Sequence, residues 1–316
     1  MNQNATSSIP STANVNQAQD YLNHYELSLR VSGKSHRTVR SYLAAVNDLR
    51  RFSSSQGMPD LIALTTEHLR EYLNSLYERG NKPSTISLRH MGVRQYYRWL
   101  VTEGERKDNP TDRIPLPRVP ETIQPHYTPE DIRQVLKQIP ATTKNVRLLR
   151  DRAILLTFFD TGLRCAELCG LEEEDLDLRG LKFTKVRKAK GGKERPVAIA
   201  PTTADAIARY LRRRPKPSRW LFASRYEGSR NNGMMTTDGI RHVMIRLFAA
   251  ASVEFKGIHA FRRGWAITFL EAGGDPEDVR TLAGWESGQM LRRYTKATEQ
   301  DRAIKAHRKF SPVDQL

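Results

Sequence analysis

The second half of the chain holds a series of residues whose side chains are of types able to bind or attack a phosphate. In TGLRCAEL, Arg164 follows a glycine turn and Glu167 comes three residues later, on the same helical face. A pair at that spacing is most often a helix salt bridge, yet a guanidinium also suits two-pronged contact with a phosphate. KAKGGKER puts Lys190 beside a Gly191–Gly192 turn, where it is either part of a solvated hairpin or an ammonium free to swing toward a ligand. HAFR sets His259 and Arg262 at i and i+3. LAGWESGQM places Trp285 just after a short helix, and MLRRYTKA sets Tyr294 nine residues later, behind Arg292 and Arg293. A phenol in that setting is a packed aromatic beside a solvated charge run, or a nucleophile held where a phosphate arrives. Taken singly, each feature has an ordinary structural explanation. Their order along the chain is what needs explaining.

The elements that must position these residues are mainly helical, with a small sheet. From Asp20 to Gly104 the apolar residues recur at helical spacing in about four helices. Thr65 or Thr66 caps the third helix, and Gly57, Gly80 and Gly104 follow helix ends. KDNPTDRIPLPRVPETIQPHY carries five prolines, too many to continue a helix, and reads as a linker. Beyond it, TPEDIRQVLKQI restarts a helix with Thr128 as cap and Pro129 in first position. RDRAILLTFFDTGLRCAELCGL reads as a buried helix broken at Thr161–Gly162. In LKFTKVRKAKGGKERPVAIA, Leu181 and Phe183 alternate on one strand and Val197 and Ile199 on the other. GDPEDVR starts a helix with Asp275 as cap. The expected segments are a disordered lead-in over 1–18, a helical domain over 19–106, a linker over 107–126 and a second domain with its tail over 127–316.

Composition narrows the partners. The chain has 316 residues and a formal net charge of +17. Lys and Arg are spread along its whole length, which favours a polyanion, nucleic acid first, over generic surface charge. The two cysteines, Cys165 and Cys169, are too few for a disulfide scaffold and read as a packing face on a helix. The eight histidines show no metal-ligand spacing. No run approaches the ~20 apolar residues of a membrane span, and the polar opening is no secretory signal, so the expected location is cytoplasmic.

In that order, TGLRCAEL, KGGKER, HAFR, AGW and RRYT resemble the motifs of the tyrosine recombinase (phage integrase) family, the Xer-type members most closely. KPSTISLRHMGVRQYYRWLVTEG is similar to the last part of that family's helical core-binding domain. The resemblance implies an N-terminal SAM-like domain of four helices and a C-terminal α+β catalytic domain. It implies a site-specific recombinase that cuts and rejoins DNA through a 3′-phosphotyrosine, with no metal and no cofactor. Tyr294 is then the nucleophile and Lys190 the general acid. Arg164, His259, Arg262 and Trp285 surround the phosphate, and Glu167 orients Arg164. Most Xer-like members have histidine where Trp285 stands, although Cre-type recombinases also carry tryptophan. Indole has an N–H donor and no acceptor, so that position binds phosphate without shuttling a proton.

The resemblance also implies double-stranded DNA as partner, a homotetramer on two DNA sites, accessory proteins in some cases, and a nucleoid-associated prokaryotic setting. Basic and hydroxyl residues at helix starts are expected to grip DNA: Lys34, Arg37 and Arg40; Lys82, Ser84, Thr85 and Arg89; Thr237 and Arg241. The tail from Ala297 is expected to be a helix that docks on its own or a neighbouring protomer. A type IB topoisomerase or telomere resolvase shares the Arg-Lys-Arg-Tyr logic, but the order of the motifs and the four-helix first domain weigh against it. A non-catalytic DNA-binding accessory protein fits less well, because the catalytic set is intact.

Overall fold

A computed structural model describes residues 12–116, 118–119, 124–187, 194–224 and 233–285, with a few positions in the tail; of residues 12–19 it describes the backbone alone. The chain divides into two compact units, 1–122 and 123–316.

The N-terminal unit contains α1 (Thr12–Val31), α2 (His36–Ser55), α3 (Thr66–Glu78) and α4 (Pro83–Thr102). The first helix begins at Thr12, so part of the expected disordered lead-in is helical. Its Gln and Ala residues extend a helix at little cost once the apolar turns after Asp20 have nucleated it. Thr65 caps α3, and the His68 ring answers with a bond to the Thr65 N–H. In α2, Val46 and Leu49 face the core, as do Ile86, Val93, Tyr97 and Leu100 in α4. The two helices cross where Gly92 meets Ala45, closely enough that a Cβ on Gly92 would lie 2.6 Å from the Ala45 Cβ. Tyr25 of α1 packs edge-on against Tyr96 at 5.2 Å and beside Trp99 at 5.3 Å. Each fully buried large side chain of this kind contributes about 1.5–3 kcal/mol.

The C-terminal unit runs α5 (Pro129–Lys137), α6 (Val146–Thr161), α7 (Cys165–Cys169), β1 (Leu176–Asp177), β2 (Lys182–Val186), β3 (Arg195–Ala198), α8 (Pro201–Arg213), α9 (Thr237–Ala250), α10 (His259–Glu271) and α11 (Pro276–Ala283). The strands form an antiparallel sheet in the order β1-β2-β3, with Phe183 opposite Val197. The short β1 has no alternation that sequence could show. Leu181 stands just before β2 with φ of 49°, a turn position rather than a strand position. Gly191 and Gly192, the expected turn, lie outside the described residues.

Thr128 and Asp131 form a reciprocal cap on α5 around Pro129, an arrangement worth about 1 kcal/mol. Helix α6 carries buried Ile154, Leu155 and Phe158 against α8 and α10. Phe158 stacks on Phe261 at 5.3 Å, and Tyr127 lies 4.5 Å from Phe261 and 4.6 Å from Phe248. The Lys256 backbone N–H donates to the Tyr127 hydroxyl at 2.8 Å. This aromatic group fixes the first turn of α10, which carries His259 and Arg262. Among the described residues, no helix is long and apolar enough to cross a membrane.

Candidate active site

Helix α6 ends at Gly162, whose φ of 58° lies in the left-handed region. A Cβ there would also sit 2.4 Å from the Trp265 ring, so both backbone and packing demand glycine. The reversal makes Arg164 the N-cap of α7. Three residues on, Glu167 is 2 % exposed. Its Oε2 accepts from the Arg164 backbone N–H at 3.0 Å, and its Oε1 accepts from Arg164 Nη1 at 2.9 Å. The Arg164 side chain is 41 % exposed, so its head reaches the surface while its base is tethered.

Arg262, one helical turn into α10, is buried. Its Nη1 donates to the Gly162 carbonyl at 2.7 Å, a bond spanning 100 residues, and its Nη2 donates to the Ala283 carbonyl at 2.6 Å. Its guanidinium also lies over the Trp285 ring, 5.1 Å from the centroid. Helix α11 starts at the Asp275 cap with Pro276 first and ends at Gly284, with φ of 64°. The Trp285 N–H closes that end on the Arg280 carbonyl at 3.0 Å. Arg262 thus ties the turn before Arg164 to the turn before Trp285. His259 opens α10 and is exposed.

Arg195 was not singled out in the sequence. It lies at the start of β3, and its Nη1 and Nη2 donate to Glu167 Oε1 and Oε2 at 3.3 and 3.2 Å. Its Nε donates to the Leu282 carbonyl at 3.0 Å. A signal was available. Arg195, Val197 and Ile199 alternate on one face, and Val197 and Ile199 are buried. An arginine in phase with two core residues needs a buried partner. Burial raises the Glu167 carboxyl, but the bonds from Arg195 and from the Arg164 backbone outweigh it and hold the group below the usual carboxylate range.

The structure therefore brings Arg164, Glu167, Arg262 and Trp285 into one hydrogen-bonded frame. Lys190 and Tyr294 lie outside the described residues, as does nearly all of the tail. Thr237 and Arg241 are exposed at the start of α9, where Thr236 caps the helix through the Gly239 N–H. Cys165 Sγ, next to Arg164, is 3.8 Å from the Thr237 carbonyl, so the start of α9 adjoins the Arg164 turn. Both cysteines are free thiols. In the N-terminal unit, Lys34, Arg37, Arg40, Lys82 and Ser84 are exposed, with Thr85 and Arg89 half-buried. Gly92 meets Tyr42 and Ala45, while the Arg89 charge acts on Asp48 farther along α2. Among the described residues, no group of three or more His, Cys, Asp or Glu side chains could hold a metal ion.

The phage integrase family model matches residues 127–301, and the model of the phage integrase N-terminal SAM-like domain matches residues 21–104. Tyrosine recombinase XerA of Thermococcus kodakarensis is 30 % identical over 303 residues, covering 96 % of this chain and 99 % of the relative. Tyrosine recombinase XerC of Xanthomonas campestris pv. campestris is 29 % identical over 293 residues, covering 92 % and 87 %. Among solved structures, XerH site-specific recombinase in its post-cleavage complex with a palindromic difH substrate shares the fold, with a TM-score of 0.70. That match has 18 % identity and covers 96 % of this chain and 90 % of XerH. The lambda integrase tetramer bound to a Holliday junction gives a TM-score of 0.68 at 16 % identity, over 92 % of this chain and 82 % of the integrase chain. With the family model spanning more than half its length and relatives aligned almost end to end, this chain belongs to the phage integrase family and is a Xer-like tyrosine recombinase.

Proposed function

We propose that this recombinase cuts and rejoins duplex DNA at specific sites through a 3′-phosphotyrosine on Tyr294. The Tyr294 Oη bonds to the scissile phosphorus and the bond to the 5′ oxygen breaks. The phenol proton passes to solvent, and the leaving oxygen gains one from Lys190. A 5′ hydroxyl of another strand then reverses the step. The phosphodiester energy is kept in the covalent intermediate, so no cofactor is consumed. Arg164 and Arg262 stabilise charge on the non-bridging oxygens, and His259 and Trp285 complete the phosphate site. Glu167 orients Arg164.

The observation that carries this reading is the frame joining Arg164, Glu167, Arg262 and Trp285 across three separate chain segments. Such preorganisation is what metal-free phosphoryl transfer requires, because the developing charge must meet donors already in place. Tyr294 falls inside the matched family region. The XerH and lambda integrase complexes support a tetramer on two DNA sites. The DNA contacts in this reading come from Lys34, Arg37, Arg40, Lys82, Ser84, Thr85, Arg89, Thr237 and Arg241, basic and hydroxyl residues near helix starts. Relatives from Thermococcus kodakarensis and Xanthomonas campestris support a prokaryotic setting, where a DNA-bound recombinase would be cytoplasmic and nucleoid-associated. The proposed domain limits are 19–106 for DNA binding and 127–316 for catalysis, joined by 107–126.

The test is covalent trapping. A nicked suicide substrate should leave wild-type protein attached to DNA in buffer containing chelator, with the adduct on the peptide containing MLRRYTK. Tyr294→Phe should bind the same DNA and form none. An adduct on that variant, or a wild-type reaction stopped by chelator, overturns the assignment.

A further inference from the structure

The Glu167 carboxylate is shared, and the way it is shared decides what Arg164 can do. A carboxylate offers about four acceptor positions. Here Oε1 takes Arg164 Nη1 at 2.9 Å and Arg195 Nη1 at 3.3 Å. Oε2 takes the Arg164 backbone N–H at 3.0 Å and Arg195 Nη2 at 3.2 Å. All four positions are filled, and Arg164 contributes a single side-chain nitrogen to them. Its Nε and Nη2 make no hydrogen bond among the described residues, on a side chain that is 41 % exposed. Arg195 has the opposite character. Its side chain is 11 % exposed, and all three of its nitrogens are engaged, two on Glu167 and one on the Leu282 carbonyl.

We infer that Arg195 is a positioning residue for strand cleavage: by occupying Glu167, it keeps the outer edge of Arg164 available to the scissile phosphate. Without Arg195, two acceptor positions on a buried carboxylate fall open. Arg164 is already bonded to that carboxylate and has further nitrogens able to fill them, so it would turn inward into a fork-to-fork pair. Charge changes in the same direction. Two guanidinium groups and one carboxylate leave one positive charge facing the substrate, whereas Arg164 and Glu167 alone cancel. Arg195 also grips the carbonyl of Leu282, next to the Ala283 carbonyl that Arg262 holds, so the turn before Trp285 is fixed from both sides. Gly284 completes the fit, because a Cβ there would lie 3.2 Å from Arg195 Nε.

This inference rests on the proposed phosphate chemistry, and one assay separates their failures. Single-turnover cleavage of the suicide substrate at saturating protein is compared for wild type, Arg195→Met, Glu167→Gln and the double variant, with DNA affinity measured alongside. Absence of a wild-type adduct on Tyr294 would fail the proposed function itself. With that adduct present, Arg195→Met should cleave about tenfold to hundredfold more slowly at nearly unchanged affinity. Adding Glu167→Gln should then speed it up about tenfold, because the neutral amide neither captures nor cancels Arg164. A merely supportive arginine would make the double variant slower still. Arg195→Met cleaving within about twofold of wild type, or a double variant no faster than Arg195→Met, overturns the inference. Should Arg195→Met not fold, Arg195→Leu removes the charge and all the donors to Glu167 and Leu282 in a smaller side chain, and the same two comparisons decide.

Discussion

In the N-terminal unit, His90 is buried with neither ring nitrogen hydrogen-bonded among the described residues, and the Tyr25 hydroxyl and Trp99 indole N–H are in the same condition. In the C-terminal unit, the buried charges are held from several sides. Glu167 is gripped by two arginines, and Asp151, with no exposure, accepts from Arg150 Nε at 3.1 Å, from Arg150 Nη2 at 2.9 Å and from Arg246. Arg150 continues the chain of bonds to the Ala223 carbonyl at 3.2 Å. An unpaired buried polar group costs about 1–3 kcal/mol, and a packing core bears that cost when the rings fill space well. A carboxylate that orients an arginine is held differently, because its acceptors must meet donors in set directions. The contrast separates burial that serves packing from burial that serves orientation.

Breaking the paired side should produce the largest loss. Asp151→Ala leaves the Arg150 charge buried without its partner and should destabilise the C-terminal unit by about 3–5 kcal/mol. Hydrogen exchange followed peptide by peptide should show faster opening in α6 and α9 and little change in α2 or α4. Equal loosening of both units would contradict the assignment of that cluster to one of them.

A smaller effect of opposite sign is expected on the unpaired side. His90→Leu removes two unsatisfied nitrogens at similar volume, so α4 should open more slowly, by about 1 kcal/mol, with cleavage rate unchanged. A clear loss of stability would mean that the ring is bonded in solution.

The smallest expected effect is a pH slope. Burial, aided by the Arg94 charge, lowers the His90 pKa below its ordinary value. Below about pH 6.5 the unfolded chain then binds a proton that the folded unit does not, so stability falls as pH falls. The loss from this one group should not exceed about 1.4 kcal/mol per pH unit, and it should be absent from His90→Leu. Glu167 titrates lower. Its folded pKa is depressed, so its contribution is complete above about pH 4.3 and is lost as pH falls through the depressed value. An N-terminal unit equally stable from pH 7 to pH 5 would show that His90 reaches water.

What sequence revealed here was local. The caps at Thr65, Thr128 and Asp275, the reversal at Gly162 and the pairing of the Phe183 and Val197 strands depend on neighbours within a few residues or on a simple alternation. The same holds for the placing of His259 and Arg262 on one helix. What it did not reveal depends on distant partners. Arg195 meets Glu167 across 28 residues and Leu282 across 87, and Arg246 meets Asp151 across 95. Neither β1, two residues long, nor the start of α1 at Thr12 has a periodic signature strong enough to read. The motif order pointed to the family, while the frame that aims the arginines became visible only in three dimensions.

If the buried charges of the C-terminal unit exist to aim Arg164 at a phosphate, Arg164→Ala should separate chemistry from binding. Single-turnover strand cleavage on the suicide substrate, measured beside affinity for the same DNA, makes that separation visible. Cleavage should fall by about a hundredfold to a thousandfold while affinity changes only a fewfold, because the lost contact acts mainly on the transition state. Cleavage at the wild-type rate, or a loss of affinity as large as the loss of rate, would contradict this view of the site.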